Sequence, residues 1–318
     1  MSTTTTSSCS AFQSCRVLSI QSHVVRGYVG NKSATFPLQL LGFEIDALNS
    51  VQFSVHTFYK YWKGQIMNSE QLWEVYEGLR LNDLHCKYSH LLTGYCRDPT
   101  FLRKIAEIIA DLKSVNPNLY YICDPVLGDR GHYYVPEELM SIYRDVIMPL
   151  ANVITPNQFE LQELSGITVD CETSVLSALD VLHSRGNKTI VVTSTDLAPS
   201  PDQMFVYASR IVSGNSKPDR FRFTIDRLEA TFVGTGDLFA ALLLAWMQRT
   251  DNDLCMSVRS VLNSLQAILR RTLAAAKEEV AGTDRLPGPA ELELRLVQNQ
   301  DCIREPQSLN YVKPPESL

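Results

Sequence analysis

Gly234-Thr235-Gly236-Asp237 stands directly before an apolar run, DLFAALLLAWMQR, that ends at Arg249. Two glycines around one small residue let the backbone turn and expose several N–H groups. A helix that starts there adds positive dipole character, so the spot suits a phosphate or a developing oxyanion. Asp237 falls in the first turn, where the plainer reading is an Asp cap behind a glycine turn. Asp124 and Asp129 in DPVLGD and Glu160 in TPNQFE also follow short apolar runs. Acids gathered on one rim repel one another, and a divalent cation would resolve the repulsion. Acids, a cation and an anion cradle are together what phosphoryl transfer requires. The chain has no GxxxxGK[ST] loop and no GxGxxG after its first strand, so it carries neither the Walker-A nor the nicotinamide fingerprint.

These residues need a frame, and the alternation of short apolar runs with amphipathic stretches supplies one. Strands are expected at Arg16–Gln21, Phe43–Leu48, Ser89–Thr93, Leu119–Cys123, Asn152–Thr155 and Thr189–Ser194. Helices are expected at Gly30–Leu41, Ser69–Leu81, Pro99–Ser114, Pro136–Pro149, Gln158–Leu164 and Thr173–Arg185. Strand alternating with helix implies right-handed crossovers and a mostly parallel sheet covered on both faces, a three-layer α/β/α sandwich. Met204–Ser209 and Phe221–Asp226, around a polar turn with Gly214, Asn215 and Pro218, break the rhythm as an antiparallel edge hairpin. From Gly236 onward the pattern is helical: a buried helix Asp237–Arg249, a long helix Leu254–Glu279 and a last helix Pro289–Gln298. In such a sheet ligands bind at the carboxyl ends of the strands. The segments that follow the strands are the ones rich in carboxylates, hydroxyls and glycines.

The 318 residues carry a net charge of −6, which argues against a non-specific nucleic-acid partner. That charge does not argue against a small polyanion met by backbone N–H groups and metal ions. Eight cysteines, Cys9, Cys15, Cys86, Cys96, Cys123, Cys171, Cys255 and Cys302, form no CxxC pair, which reads as free thiols in a reducing, cytosolic setting. No apolar run reaches membrane-span length, so no membrane partner is expected. The head MSTTTTSSCS lacks a basic and an apolar region and reads as a disordered Ser/Thr-rich segment over 1–15 rather than a secretory signal. One domain over 16–298 and a polar tail over 299–318 complete the expected organisation.

FVGTGDLFAALLLAW, CDPVLGD, ITPNQFE and VVTS together resemble the ribokinase-like superfamily. RVLSIQSHVVRGYVGNKSATFPLQLLGFEIDALNSVQFSVHT narrows the resemblance to the pyridoxal kinase family, and most closely to its animal members. It covers Arg16 to about Gln298, and its motifs are specific in combination. The resemblance implies ATP-dependent phosphorylation of the 5′-hydroxymethyl group of pyridoxal, and of pyridoxine and pyridoxamine, in vitamin B6 salvage. It also implies magnesium or another divalent cation, potassium or sodium, and a homodimer. Two rivals stand beside it: a hydroxymethylpyrimidine kinase, and a non-catalytic vitamin-binding protein on a kinase fold.

Residue roles follow from the resemblance. Asp237 matches the catalytic base, which also touches the vitamin, and Gly234, Thr235 and Gly236 match the anion hole. Ser22, Thr57 and Tyr95 match pyridoxal-contacting positions. Asp124, Asn157, Glu160, Thr193, Ser194, Leu228 and Thr235 match nucleotide-side positions. Asp129 and Glu160 match acids on the magnesium side, acting through water. Asp124, Thr155 and Thr193 match positions that hold a monovalent cation or a phosphate. Read without the family, Ser22 and Thr57 are equally strand-end caps, Tyr95 a surface aromatic and His56 a hydrogen-bonded loop histidine. Trp62 either lines the vitamin pocket or packs a loop. Arg130 to Tyr134 looks shorter than the covering loop of vertebrate members, with Gly131 a candidate hinge and Tyr134 a candidate cover.

Overall fold

The computed structural model describes residues 15–212, 214 and 217–318. The Ser/Thr-rich head before residue 15 and Asn215 of the hairpin turn lie outside the described residues. In chain order the strands are β1 Arg16–Val24, β2 Glu44–Phe53, β3 Gly64–Ile66, β4 His90–Thr93, β5 Tyr120–Cys123, β6 Gly128–Asp129 and β7 His132–Tyr133. They continue as β8 Val153–Ile154, β9 Thr189–Thr195, β10 Gln203–Arg210, β11 Asp219–Asp226 and β12 Glu316–Ser317. Ten of them form one sheet in the order β12-β11-β10-β9-β8-β5-β4-β1-β2-β3. The centre, β9 through β8, β5, β4 and β1 to β2, is parallel. The ends, β9 with β10, β11 and β12, and β2 with β3, are antiparallel.

Helices cover both faces. On one side lie α1 Asn31–Leu40, α7 Thr235–Arg249 and α8 Leu254–Glu279, with Val17, Leu92, Ile122 and Val191 of the sheet beneath them. On the other lie α2 Ser69–Leu81, α3 Pro99–Val115, α4 Glu138–Ile142, α5 Gln158–Ser165 and α6 Glu172–Ser184, over Leu18, Ile20 and Leu91. Alternate residues of β1 thus enter opposite cores, the period of two that a doubly covered strand demands. In α3 the Asp98 side chain accepts the Phe101 N–H at 2.8 Å and Pro99 opens the first turn. Phe101, Ile105, Ile108 and Leu112 then repeat on the helical period and are buried. In α7 every residue from Leu238 to Met247 is buried, as expected for a helix apolar on nearly every side.

Two expected helices need correction. The stretch expected as one helix, Pro136–Pro149, divides into α4, a π-helical turn Tyr143–Ile147 and a 3-10 turn Met148–Leu150. Pro149 lacks the N–H that a continuing helix would use. The expected helix Pro289–Gln298 is not a helix. Residues 289–293 pass through turns and a bend, Leu294 and Leu296 are buried while Arg295 between them stays partly exposed, and a 3-10 turn starts only at Val297. The Leu-Glu-Leu-Arg-Leu alternation from Leu292 already has the period of two. Strands β3, β6, β7 and β12 were not expected, because two- or three-residue edge pairs carry no apolar pattern of their own.

The segment read as a polar tail carries α9 Gln300–Arg304 and β12, which pairs with β11. Cys302, Ile303 and Val312 are fully buried. Two residues of α8 hold the segment: Ser264 Oγ donates to the Cys302 carbonyl at 2.7 Å, and Asn263 Oδ1 accepts the Tyr311 and Val312 N–H groups. Ile303→Ala should therefore lower the unfolding free energy by about 2–5 kcal/mol, the scale for emptying a packed site. Urea denaturation measures it, and a loss under about 0.5 kcal/mol would make residues 299–318 a loosely attached tail.

Candidate active site

Gly234 is the residue before α7, with φ of 82°, and no side chain caps the helix there. The N–H groups of the first turn are therefore open to an anion. A Cβ at Gly234 would lie 2.0 Å from the Tyr28 carbonyl oxygen, so only glycine fits this close crossing. Ser33 Oγ donates to the Gly234 carbonyl at 3.1 Å and ties the turn to α1. Asp237 does not cap its own helix, which corrects the plainer reading of this motif. Its Oδ2 instead accepts the Gly30 N–H at 2.8 Å, across from the loop that follows β1. Burial raises the Asp237 carboxyl above the ordinary carboxylate range, and the Gly30 bond opposes that rise.

Gly30 is held in turn. Its φ is 53°, and a Cβ there would lie 2.4 Å from Ser22 Oγ. Ser22, Gly30 and Asp237 are thus brought into one place from β1, the following loop and α7. Gly30 and Ser33 were missed in the sequence, where nothing links a glycine at 30 to an aspartate at 237.

Asp124 follows β5 and is buried. Its Oδ1 accepts from Thr155 Oγ1 at 3.0 Å, and its Oδ2 faces the Gly236 backbone. Burial, then the Asp237 charge, push the Asp124 carboxyl up to about 7. Glu160 is also buried, and burial and Asp124 raise its carboxyl as well. Both of its oxygens are taken by backbone donors: Oε1 by Leu127 at 2.9 Å and Oε2 by Asn157 at 2.9 Å. Asn157 Oδ1 accepts the Glu160 N–H in return, a capping box that starts α5. The Asn157 amide also donates to the Gly128 carbonyl at 2.7 Å. The N-x-x-E spacing in TPNQFE was the available signal for this brace.

The other expected residues are more spread. Thr193 and Ser194 are half-buried at the end of β9, where the Thr193 N–H donates to the Pro156 carbonyl. Leu228 packs against the α7–α8 core. Asp129 sits on the β6–β7 hairpin with its side chain 45% exposed, its Oδ1 accepting the Arg130 N–H. Arg130 and Gly131 both have positive φ, 48° and 78°, so Gly131 supplies a tight two-residue hairpin turn. Tyr134 is half-exposed and meets Phe58 edge-on. Tyr95 is half-buried against the α2–α6 core, Thr57 is exposed, and Trp62 packs on Phe53. His56 is a loop histidine whose Nδ1 accepts the Phe58 N–H. A cavity of about 420 Å³, bordered by His56, Thr231, Val233, Leu273 and Glu293, opens beside the Gly234 turn. Its lining includes neither Ser22, Thr57 nor Tyr95.

Among the described residues no three His, Cys, Asp or Glu side chains converge as a ready-made metal cage. The donors near the anion turn are nonetheless all oxygens, from Asp124 and Thr155. Such donors fit a hard cation that keeps waters and takes its remaining ligands from substrate phosphates.

A phosphomethylpyrimidine kinase family model matches residues 89–281. The human pyridoxal kinase is 50% identical over 305 residues, covering 93% of this chain and 97% of the relative. The Arabidopsis thaliana pyridoxal kinase is 48% identical, covering 92% of each. A Leishmania donovani pyridoxal kinase, solved with ADP and pyridoxamine, superposes with a TM-score of 0.85 at 34% identity, covering 95% of this chain and 99% of that one.

Asp124 carries a stability consequence with a definite sign. Its folded pKa lies above its unfolded one, so its favourable contribution is complete at low pH and lost as pH rises through about 7. Asp124→Asn should raise the melting temperature of the ligand-free protein at pH 8, and the gain should shrink toward pH 5. A melting temperature that falls equally at both pH values would refute buried charge as the cost.

Proposed function

The chain belongs to the pyridoxal kinase family, and on that premise we propose how its own residues perform the family's reaction. It is an ATP-dependent kinase of vitamin B6 compounds, phosphorylating the 5′-hydroxymethyl group and giving pyridoxal 5′-phosphate from pyridoxal. The observation that carries the site reading is Asp237. It is a half-buried carboxylate in the first turn of α7, beside an uncapped helix start and within reach of Ser22 through Gly30.

Asp237 takes the proton as the 5′ oxygen bonds to the γ-phosphorus, while the bond to the ADP oxygen breaks. The N–H groups of Gly234, Thr235 and Gly236 hold the charge on the transferred group, an anion hole typically worth a few kcal/mol per donor. Ser22, Thr57 and Tyr95 orient the vitamin. Thr193, Ser194, Leu228 and Thr235 contact the nucleotide. A carboxyl held above the ordinary carboxylate range makes Asp237 a better proton acceptor than a free aspartate. Asp124, Thr155 and Thr193 would hold a monovalent cation or a phosphate, and Asp129 and Glu160 the magnesium side. A bound divalent cation supplies charge neutralisation on the phosphates. Because both Glu160 oxygens already take backbone N–H bonds, Glu160 acts through water and braces the Asp124–Asp129 loop. Tyr134 covers the nucleotide.

The protein is proposed to work as a homodimer in the cytosol. The exposed apolar side chains Tyr61, Ile66, Val75 and Leu81, around the β3 edge and α2, support the dimer. Seven cysteines unpaired among the described residues support a reducing compartment. No described helix is long and apolar enough to cross a membrane.

Asp237→Asn should keep the fold and ATP binding while lowering turnover of pyridoxal by about two to four orders of magnitude. Steady-state ADP release with magnesium measures it, and turnover at the wild-type rate would remove Asp237 from the base role. Running the same assay with hydroxymethylpyrimidine should give a far smaller kcat/KM than pyridoxal. Light scattering should report twice the chain mass, and a monomer's mass would sink the dimer.

A further inference from the structure

Glu293 lies 56 positions beyond Asp237 in the irregular segment between α8 and α9, its backbone pinned by buried Leu294 and Leu296. Its side chain is 13% exposed. Oε2 accepts the Tyr28 N–H at 3.1 Å, and Oε1 accepts the Tyr59 hydroxyl at 3.0 Å. Because His56 Nδ1 accepts the Phe58 N–H, its proton is on Nε2, which faces Glu293 Oε1 at 3.5 Å. One buried carboxylate therefore gathers neutral donors from two loops, the one after β1 and the one between β2 and β3. Gly27 makes the approach possible. Its φ is 95°, and a Cβ there would lie 2.2 and 2.3 Å from the two carboxylate oxygens.

Tyr28 is clamped from both sides. Its N–H is held by Glu293, and its carbonyl oxygen is pressed against the Cα side of Gly234, at the start of the anion turn. Two residues further on, the Gly30 N–H bonds Asp237 Oδ2. Chain length leaves little slack, since two residues span at most about 7 Å. A carboxylate withdrawn at one end of this short segment must be felt at the other.

We propose that Glu293 is a positioning residue for phosphoryl transfer: it seats the Gly27–Gly30 loop so that the Gly30 N–H orients the Asp237 carboxylate. The proposal rests on Asp237 being the base. Glu293 touches no reacting atom, and its effect passes through the loop.

The test is steady-state kinetics of E293A and E293Q, each made in the wild-type and in the D237N background, with melting curves to verify folding. E293A is expected to lower kcat by about 10- to 100-fold, the scale for a misplaced reacting group, with KM for ATP within about twofold. E293Q keeps one acceptor oxygen and should lose about three- to tenfold, a partial rescue. In D237N both losses should vanish, because there is no base left to orient. If E293A does not fold, E293Q decides by the same comparison. A wild-type kcat in the folded variant, or a loss that persists in D237N, overturns the proposal. Full activity of D237N itself would instead overturn the assignment of the base.

Discussion

The hydrogen bond from Gly30 N–H to Asp237 Oδ2, beside that from Ser33 Oγ to the Gly234 carbonyl, joins the two ends of the fold that meet at the candidate site. One partner follows β1, the other opens α7, and 207 positions separate them. For the bond to exist, the backbone must pass where no Cβ could. Gly30 lies against Ser22, and Gly234 lies against Tyr28. Each glycine also takes a positive φ that other residues adopt only under strain. The parallel centre of the sheet makes this meeting possible, because it sends every strand's carboxyl end to the same rim.

The same rim stores electrostatic cost. Burial disfavours the charge of both Asp124 and Asp237, and the Asp237 charge adds to the penalty at Asp124. Thr155 and the Gly30 N–H offset only part of it. A core designed for stability alone would place apolar groups here. Buried acids beside an uncapped helix start are instead suited to phosphates and their cations, so the cost is borne where ligands can relieve it. Glu160 and Asn157 show the opposite use of polar groups. Their reciprocal capping box takes one Glu160 oxygen, the Leu127 N–H takes the other, and together they make a rigid wall for the loop after β5.

Much of this was legible in the sequence because its signals are local. Asp98-Pro99 before an apolar period marks α3, and the apolar run after Gly236 marks α7. The hairpin strands Met204–Ser209 and Phe221–Asp226 fall inside β10 and β11. The irregular course around Leu294, expected as helix, has its partner surface on α8, remote in sequence, where Thr272 Oγ1 accepts the Arg295 N–H. Edge pairs such as β3 and β12 are made by their neighbours and have no pattern to read. Among site residues, the motif positions of Asp124, Glu160 and Asp237 could be singled out from residue type and spacing. The N-x-x-E spacing also points to Asn157 as a partner of Glu160, whereas Gly30 and Leu127, remote in sequence from the acids they bond, carry no such signal.

Residue types and short-range periodicity by themselves determined the layered α/β class, the buried helix behind the glycine turn and the family resemblance at its motifs. Those properties depend on contacts within a few residues or on one face of one element. Tertiary structure alone decided that Asp237 faces Gly30 rather than its own helix end, and that Leu127 takes the second Glu160 oxygen. It also decided that Glu293 reaches back to the loop after β1, and that Cys302, Ile303 and Val312 near the chain's end belong to the core. Each of these depends on which distant backbone comes within hydrogen-bond reach, about 3 Å, a condition that only the packed sheet and its crossovers impose.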